Sequence, residues 1–241
     1  MSSTAPSGLS NGVRALFLVV LVAAVAGGVG LWYLFLRPAG PAAVLDPSAA
    51  PGASTAAGGG GTLVGGVAGT WTIKSGTDTF VGYRVQEQLA NVGGNTAVGR
   101  TGAVTGTFTL DGTSVTTGSF TATLTGLKSN DNGRDGRVQD ALNTRQNPTT
   151  TFVLSSPIAL GSVPADGQEI TATAKGRLTI RGVTKDVEFK VTAKLSGATL
   201  TIKASTDFAF ADFSIPKPQS FMVLSIADTG TIEAQLTLAK S

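Results

Sequence analysis

The stretch "GRLTIRGVTKDVEF", residues 176–189, contains two apolar alternations that meet at a turn. Leu178 and Ile180 precede the turn at Gly182, and the same spacing of two residues resumes up to Phe189. Alternation with a period of two indicates a strand with one buried face, and glycine is typical of tight connections between such strands. The stretch therefore predicts an antiparallel β-hairpin whose apolar side faces a protein interior.

The same alternation recurs through the rest of the chain after residue 70, in TGAVTGTFTL (101–110), SFTATLTGL (119–127), ATLTIKAS (198–205) and TIEAQLTLAK (231–240). About eight such strands, joined by Gly, Asp and Asn turns, predict an antiparallel sandwich or a closed barrel, and regular alternation throughout favours the eight-stranded barrel. An immunoglobulin sandwich would also carry cysteines, and the chain has none. One short helix is predicted in "RDGRVQDALNTR", residues 134–145, from its apolar spacing of three and four.

The N-terminal part of the chain has a different composition. Residues 15–36 form an uncharged apolar run that would span roughly 33 Å as a helix, about the thickness of a bilayer core, which predicts a single-pass transmembrane anchor after a tail at 1–14. A cleavable signal peptide ending near Ala26 is the alternative, and it would give a secreted protein. The Pro, Ala and Gly-rich residues 37–69 predict a flexible, disordered linker to a domain at 70–241, which we expect outside the cytoplasm.

Composition excludes several functional classes. The formal charge is only +3, without a concentrated basic patch, which argues against nucleic-acid binding. Because the chain has neither His nor Cys, His-based and thiolate metal sites and nucleophiles paired with histidine are excluded. We therefore expect neither a catalytic site, nor a bound metal, nor a cofactor. The oligomeric state does not follow from the sequence.

The expected barrel interior combines large and small side chains, such as Phe108 and Phe120 beside Gly106 and Ala122. An eight-stranded barrel has the size at which side chains either fill the interior or leave room for one small ligand. Small inward residues are compatible with a cavity, and equally with close packing against the phenylalanines. Residue types alone leave both interiors open.

The order of several short motifs resembles the YceI-like family of bacterial extracytoplasmic proteins. These motifs are "TWTIKSGTDTFVGYRV" (70–85), "VTGTFT" (104–109), the Arg134-Asp135 pair ahead of a helix, "NPTTTFVLSS" (147–156), the hairpin at 176–189 and "DFAFADFSIP" (207–216). The chain departs from the family pattern in having Thr77 or Asp78 where a His is often found, and Asn147 where an aromatic residue commonly precedes the proline.

The resemblance implies a lipocalin-like barrel whose apolar tunnel binds an isoprenoid lipid, of the polyprenyl phosphate or prenyl quinone type, for carriage or sequestration beside the membrane. Alternation selects the expected tunnel lining: Phe80, Phe108, Phe120, Leu124, Phe152, Leu178, Ile180, Phe189, Leu200 and Ile202. Basic residues around the helix are head-group candidates, with a solvated surface as the alternative for them: Lys128, Arg134, Arg137 and Arg145. The alternative function is a solidly packed interaction or structural module of the cell envelope without a lipid ligand.

Overall fold

The structure, a computed structural model, describes residues 66–90 and 92–241. Along this part of the chain the elements are, in order, β1 (Gly69–Ile73), β2 (Phe80–Leu89), β3 (Gly93–Thr101), β4 (Val104–Asp111), β5 (Ser114–Thr123), β6 (Lys128–Ser129), α1 (Asn132–Leu142), β7 (Thr149–Leu154), β8 (Ile158–Ala159), β9 (Glu169–Ile180), β10 (Val183–Ser196), β11 (Thr199–Ala209), a 3-10 helix (Phe210–Phe213) and β12 (Val223–Lys240).

The strands close into an antiparallel barrel. From β1 the hydrogen-bonded neighbours run through β4, β5, β7, β9, β10, β11 and β12, and β12 pairs again with β1. Both β1 and β2 pair with β12, so they are two parts of one barrel strand, and β3 and β4 form a second interrupted strand beside them. The ring therefore has eight strands, with β6 and β8 as short additions, which confirms the predicted barrel.

The hairpin at 176–189 is the junction of β9 and β10, as predicted. Ile180 lies opposite Val183, so that only two residues form the loop, and both have positive φ: 53° at Arg181 and 76° at Gly182. This is the type I′ turn that matches the twist of paired strands. The Arg181 side chain donates from Nη1 to the Ser214 carbonyl at 2.7 Å, which anchors a residue in a conformation that non-glycine residues rarely adopt.

The helix α1 lies close to its predicted position but begins and ends earlier. Asp131 is the N-cap, and its carboxylate accepts a hydrogen bond from the Arg134 backbone N–H at 2.9 Å. Asn143 ends the helix in the left-handed conformation. The helix terminates before Arg145 because a residue at positive φ cannot continue the α-helical hydrogen-bond pattern.

Residues just before the expected boundary at residue 70 also pack against the barrel. Val67 is buried, and its carbonyl accepts a 2.9 Å hydrogen bond from the indole of the fully buried Trp71. Of the described residues, all those in the barrel strands and the hydrophobic core lie between Val67 and Lys240, so residues 66–241 contain the complete ring. No helix within 66–90 and 92–241 is long and apolar enough to cross a bilayer; the predicted anchor at 15–36 and most of the linker at 37–69 lie outside the described residues.

Candidate functional site

One end of the barrel contains a large internal space, which we call the mouth cavity. Its volume is about 450 Å³, within the usual range of small-molecule sites. Helix α1, the inward face of β2 and the segment at 218–226 surround it, together with residues from β5, β7, β9 and the 3-10 helix. The apolar lining consists mainly of Val81, Val85, Leu89, Ala97, Phe120, Leu124, Leu127, Val138, Ala141, Leu142, Leu178, Ile180, Phe208, Phe210, Ile215, Phe221, Met222, Val223, Ile226 and Ile232.

Polar side chains form a small part of this lining: Tyr83, Glu87, Asp131, Arg134, Arg137, Thr150 and Ser220. Thr150 is already satisfied, because its hydroxyl donates to the Thr179 carbonyl at 2.7 Å. Exposed lining residues identify the opening: Asp131 at the start of α1, and Phe221 and Met222 in the segment at 218–226, with Phe221 93% exposed. The site therefore combines an apolar interior with a polar, solvent-facing rim.

A second space, the inner cavity, occupies the other half of the barrel. Its volume is about 100 Å³, and Gln168 is the one polar side chain among the described residues that line it. Phe120 borders both cavities. This half of the interior is close to filled, whereas the half below α1 is not.

The structure distributes nine of the ten expected lining residues between the two cavities. Phe120, Leu124, Leu178 and Ile180 border the mouth cavity. Phe108, Phe152, Phe189, Leu200 and Ile202 border the inner cavity, together with Phe120. The interior is thus two unequal spaces, where a single tunnel was expected, and ligand contact by these residues remains a prediction.

Phe80 corrects the prediction. It lines neither cavity, and its ring lies under the Arg100 guanidinium at 4.0 Å from the ring centroid. In β2 the inward residues are Val81 and every second residue after it, so Phe80 belongs to the outer face. The prediction placed Phe80 on the inward face of β2, and the inward face begins one residue later, at Val81.

Two of the four head-group candidates lie away from the cavities. Arg145 follows the end of α1 and is exposed, and it lines neither cavity. Lys128 is largely exposed and pairs with Asp135 at 3.4 Å. Asp135 itself accepts hydrogen bonds from the backbone N–H and hydroxyl of Ser129, at 2.8 and 2.7 Å, so this group braces α1 against β6.

Arg134 reaches the mouth cavity, but its charge is already compensated. Its Nη2 donates to Glu87 Oε1 at 2.6 Å, and its Nη1 donates to Asn130 Oδ1 at 2.9 Å. The buried Glu87 carboxylate also accepts from Asn95 Nδ2 at 2.7 Å. These contacts tie α1 to β2 and to β3 at the rim, so Arg134 positions the helix.

Arg137 differs from Arg134 although both line the mouth cavity. It is half-buried, and within the described ranges its guanidinium donates no hydrogen bond to another residue. Asp131 is the nearby acidic group, and both Arg137 and the Arg134 backbone N–H help to lower the pKa of that carboxyl, the N–H having the larger effect. Arg137 is therefore the rim cation that can offer hydrogen bonds to a ligand.

A sequence model of the YceI-like domain matches residues 71–238, the barrel apart from the first two residues of β1 and the last two of β12. The chain belongs to the YceI-like family. No curated protein sequence matches the chain.

Solved structures share the fold of this YceI-like barrel. A polyisoprenoid-binding domain from Saccharophagus degradans, implicated in plant cell wall breakdown, superposes with a TM-score of 0.58 at 17% identity, over 71% of this chain and 98% of that one. Burkholderia cenocepacia BcnA superposes with a TM-score of 0.52 at 22% identity, over 68% of this chain and 98% of that one. At these identities the likeness establishes the fold of the YceI-like domain.

Tyr83 and Glu87 of the YceI-like barrel are site residues that our sequence reasoning missed. Both point into the mouth cavity from β2. The signal was present: in "FVGYRVQEQL" these residues share the alternation of Val81 and Val85, once the strand is given the correct phase. They were missed because the expected lining was chosen from apolar residues, and both side chains are polar.

Because Tyr83 is largely buried, we expect the stability of the YceI-like domain to fall at alkaline pH. Burial raises the pKa of Tyr83 from 10.0 to about 12. The positive charge of Arg134 lowers this pKa by a smaller amount, and the negative charges of Asp135 and Glu87 raise it further. The folded domain thus retains a proton that the unfolded chain releases, so stability is fully present below pH 10 and is lost as the pH rises towards 12. We expect a loss of about 2 kcal/mol over this interval.

The measurement is urea unfolding of residues 66–241 at pH 9, 10, 11 and 12, compared with Tyr83→Phe as the matched variant. The chain has two tyrosines, and Tyr33 precedes this fragment, so absorbance at 295 nm reports Tyr83 directly. Lysine titration contributes equally to both proteins. Equal pH dependence in wild type and Tyr83→Phe would contradict the assignment.

The described residues of the YceI-like barrel contain no cluster of three or more His, Cys, Asp or Glu side chains suited to a metal ion.

Proposed function

We propose that the protein is a membrane-tethered, extracytoplasmic lipid-binding protein that holds an isoprenoid chain of the polyprenyl phosphate or prenyl quinone type. The observation that supports it most is the mouth cavity, an apolar space of about 450 Å³ inside a closed barrel with its polar groups at the rim. An apolar chain exposed to water costs about 25 cal/mol per Å², and an enclosed apolar lining removes that cost. The S. degradans domain with the same fold is described as polyisoprenoid-binding, which supports this ligand class.

The packed-module alternative requires an interior filled to native density. The inner half of the barrel approaches that condition, with a residual space of about 100 Å³. The mouth half does not, since a cavity of about 450 Å³ bordered mainly by apolar side chains lies beneath α1. Binding of an apolar ligand therefore explains the interior better than packing alone.

Membrane tethering is part of the proposal and is supported by the sequence. The apolar run at 15–36 has the length of a transmembrane helix, and Arg14 and Arg37 flank it. The linker at 37–69 would then keep the domain within on the order of 30 Å of the bilayer. A lipid carrier or sequestering protein at that distance has direct access to the membrane that supplies its ligand.

Native mass spectrometry tests the proposal. Residues 66–241 are expressed in a bacterial host, purified without detergent, and measured intact before and after solvent extraction. We expect a stoichiometric adduct that releases a prenyl lipid. An unoccupied mass that persists after incubation with prenyl phosphates and prenyl quinones would favour the packed module.

We expect Arg137 to favour ligands with a phosphate head group over the corresponding alcohols. Because its guanidinium lines the rim and donates no hydrogen bond to another residue in the part of the chain that the structure describes, it can form charge-assisted hydrogen bonds to a phosphate. Arg137→Gln is expected to weaken binding of geranylgeranyl phosphate by about 1.5–3 kcal/mol, roughly 10- to 150-fold in Kd, and to leave binding of geranylgeraniol unchanged.

Arg145→Gln is the matched control, since Arg145 lies near the same helix but outside the cavity. Titration calorimetry of both variants with both ligands gives the comparison. An equal loss for the phosphate and the alcohol in Arg137→Gln, or an equal loss in the two variants, would remove Arg137 from the head-group site.

A further inference from the structure

Three phenylalanines lie together inside the barrel: Phe120 borders both cavities, and Phe152 and Phe189 border the inner cavity behind it. Phe120 and Phe152 stack with ring centroids 5.6 Å apart and planes inclined by 23°. Phe152 and Phe189 make an edge contact with centroids 5.2 Å apart and an angle of 83°. We refer to these three residues as the aromatic partition.

The aromatic partition is held in place by its surroundings. All three side chains are buried, with exposed fractions of 5% or less. The Phe152 ring lies over Gly176, where a Cβ atom would overlap the ring, so the glycine provides the space that the ring occupies. The partition therefore arises from β5, β7 and β10, with β9 supplying the glycine, and its rings are closely packed.

We propose that the aromatic partition sets an upper limit on ligand length, so that the protein accommodates a prenyl chain of about four isoprene units. This inference rests on the proposed function and specifies its ligand class. A cavity of about 150 Å³ holds one benzene, so the mouth cavity of about 450 Å³ holds roughly three such rings, or about 18 carbons. A chain of eight isoprene units would need about 1,000 Å³ on the same scale, far more than the mouth cavity provides.

The inner cavity does not extend this limit while the partition is closed. Its volume of about 100 Å³ is below that of a single benzene site. Phe120 borders both cavities, and its ring is backed by Phe152, which in turn contacts Phe189. Carbons beyond the fourth isoprene unit would therefore remain outside the barrel and gain no burial. Affinity should rise with chain length up to about 20 carbons and then become constant.

A chain-length series tests this limit. Prenyl alcohols of 10, 15, 20, 30 and 40 carbons are compared by competition for residues 66–241, with native mass spectrometry as the readout. For wild type we expect affinity to rise by at least about tenfold per isoprene unit up to 20 carbons, with less than about threefold further gain at 30 or 40.

Removing the central ring of the partition should lengthen the accepted chain. In Phe152→Ala the inner cavity gains the space of one ring, and Phe120, which borders both cavities, loses the ring on which it stacks. With Phe120 free to move aside, the 30-carbon alcohol should gain at least about tenfold over the 20-carbon alcohol. Phe213→Ala is the matched control, because Phe213 is equally buried but borders neither cavity. It should retain the wild-type limit. Phe152→Leu, a smaller truncation that also opens the partition, replaces Phe152→Ala if the latter does not fold.

Two results would overturn the inference while leaving the proposed function intact. One is an affinity of wild type for the 40-carbon alcohol tenfold or more above that for the 20-carbon alcohol. The other is an unchanged limit in a folded Phe152 variant. No binding at any chain length, with alcohols and with the corresponding phosphates, would overturn the proposed function and the length limit together.

Discussion

Replacing Glu233 by Ala is expected to lower the free energy of unfolding by about 3–5 kcal/mol, since it removes one partner of a buried ion cluster. Glu233 is only 1% exposed on the outer face of β12. Its two carboxylate oxygens bind Arg84 Nε at 2.9 Å and Arg100 Nη2 at 2.7 Å. Without the carboxylate, two guanidinium groups with little solvent access lose the negative charge that Glu233 places between them.

The matched control is Glu188→Ala. Glu188 forms an ion pair with Lys175 at 2.9 Å, also between neighbouring strands, but both side chains are 61% exposed. Such exposed pairs contribute about 0–1 kcal/mol. Urea unfolding followed by circular dichroism compares the two variants. Similar losses of unfolding free energy for Glu233→Ala and Glu188→Ala would contradict the larger contribution assigned to the buried cluster.

Trp71→Ala is expected to lower the free energy of unfolding by about 3–5 kcal/mol, because it leaves a cavity in the hydrophobic core of the barrel. Trp71 is fully buried in β1, where it pairs with Phe108 of β4 and Lys240 of β12. Its indole N–H also satisfies the Val67 carbonyl. The substitution therefore removes core packing and leaves a buried acceptor without its donor.

Phe221→Ala serves as the control for removal of an aromatic side chain. Phe221 is 93% exposed beside the mouth cavity, so its truncation should change stability by no more than about 0.5 kcal/mol. Trp71→Phe separates packing from hydrogen bonding, since it keeps a ring and loses the N–H. Far-ultraviolet circular dichroism is the readout, because the variants differ in intrinsic fluorescence. A loss below about 1 kcal/mol in Trp71→Ala would contradict the assigned packing.

The fold could be predicted from sequence because it depends on local periodicity. Alternation around Gly182 predicted the hairpin of β9 and β10, and the spacing of Val138, Ala141 and Leu142 predicted the helix face that lines the mouth cavity. These signals arise within ten to fifteen residues of chain. The phase at Phe80 failed because this outward residue is apolar, whereas the inward positions of the same strand include the polar Tyr83 and Glu87.

The site was less predictable because it depends on contacts between distant segments. Arg134 is satisfied by Glu87, from a strand well before the helix, and no local pattern indicates that pairing. The division of the interior by Phe120, Phe152 and Phe189 is similar, since alternation places each ring inside without indicating which rings meet. Periodicity specifies a face of a strand, whereas the shape of a cavity depends on which faces come together.

The pairing of β1 with β12 has a consequence for the order of folding. These strands are the first and last of the barrel, with Trp71 opposite Lys240, so the ring cannot close until the final strand has been synthesised. Contacts so distant in sequence carry a large loop-closure entropy and form slowly. Until then β1, β2 and β11 lack their β12 partner, and open strand edges associate readily with other chains. The strand edges of the nascent domain therefore stay open until β12 has been synthesised.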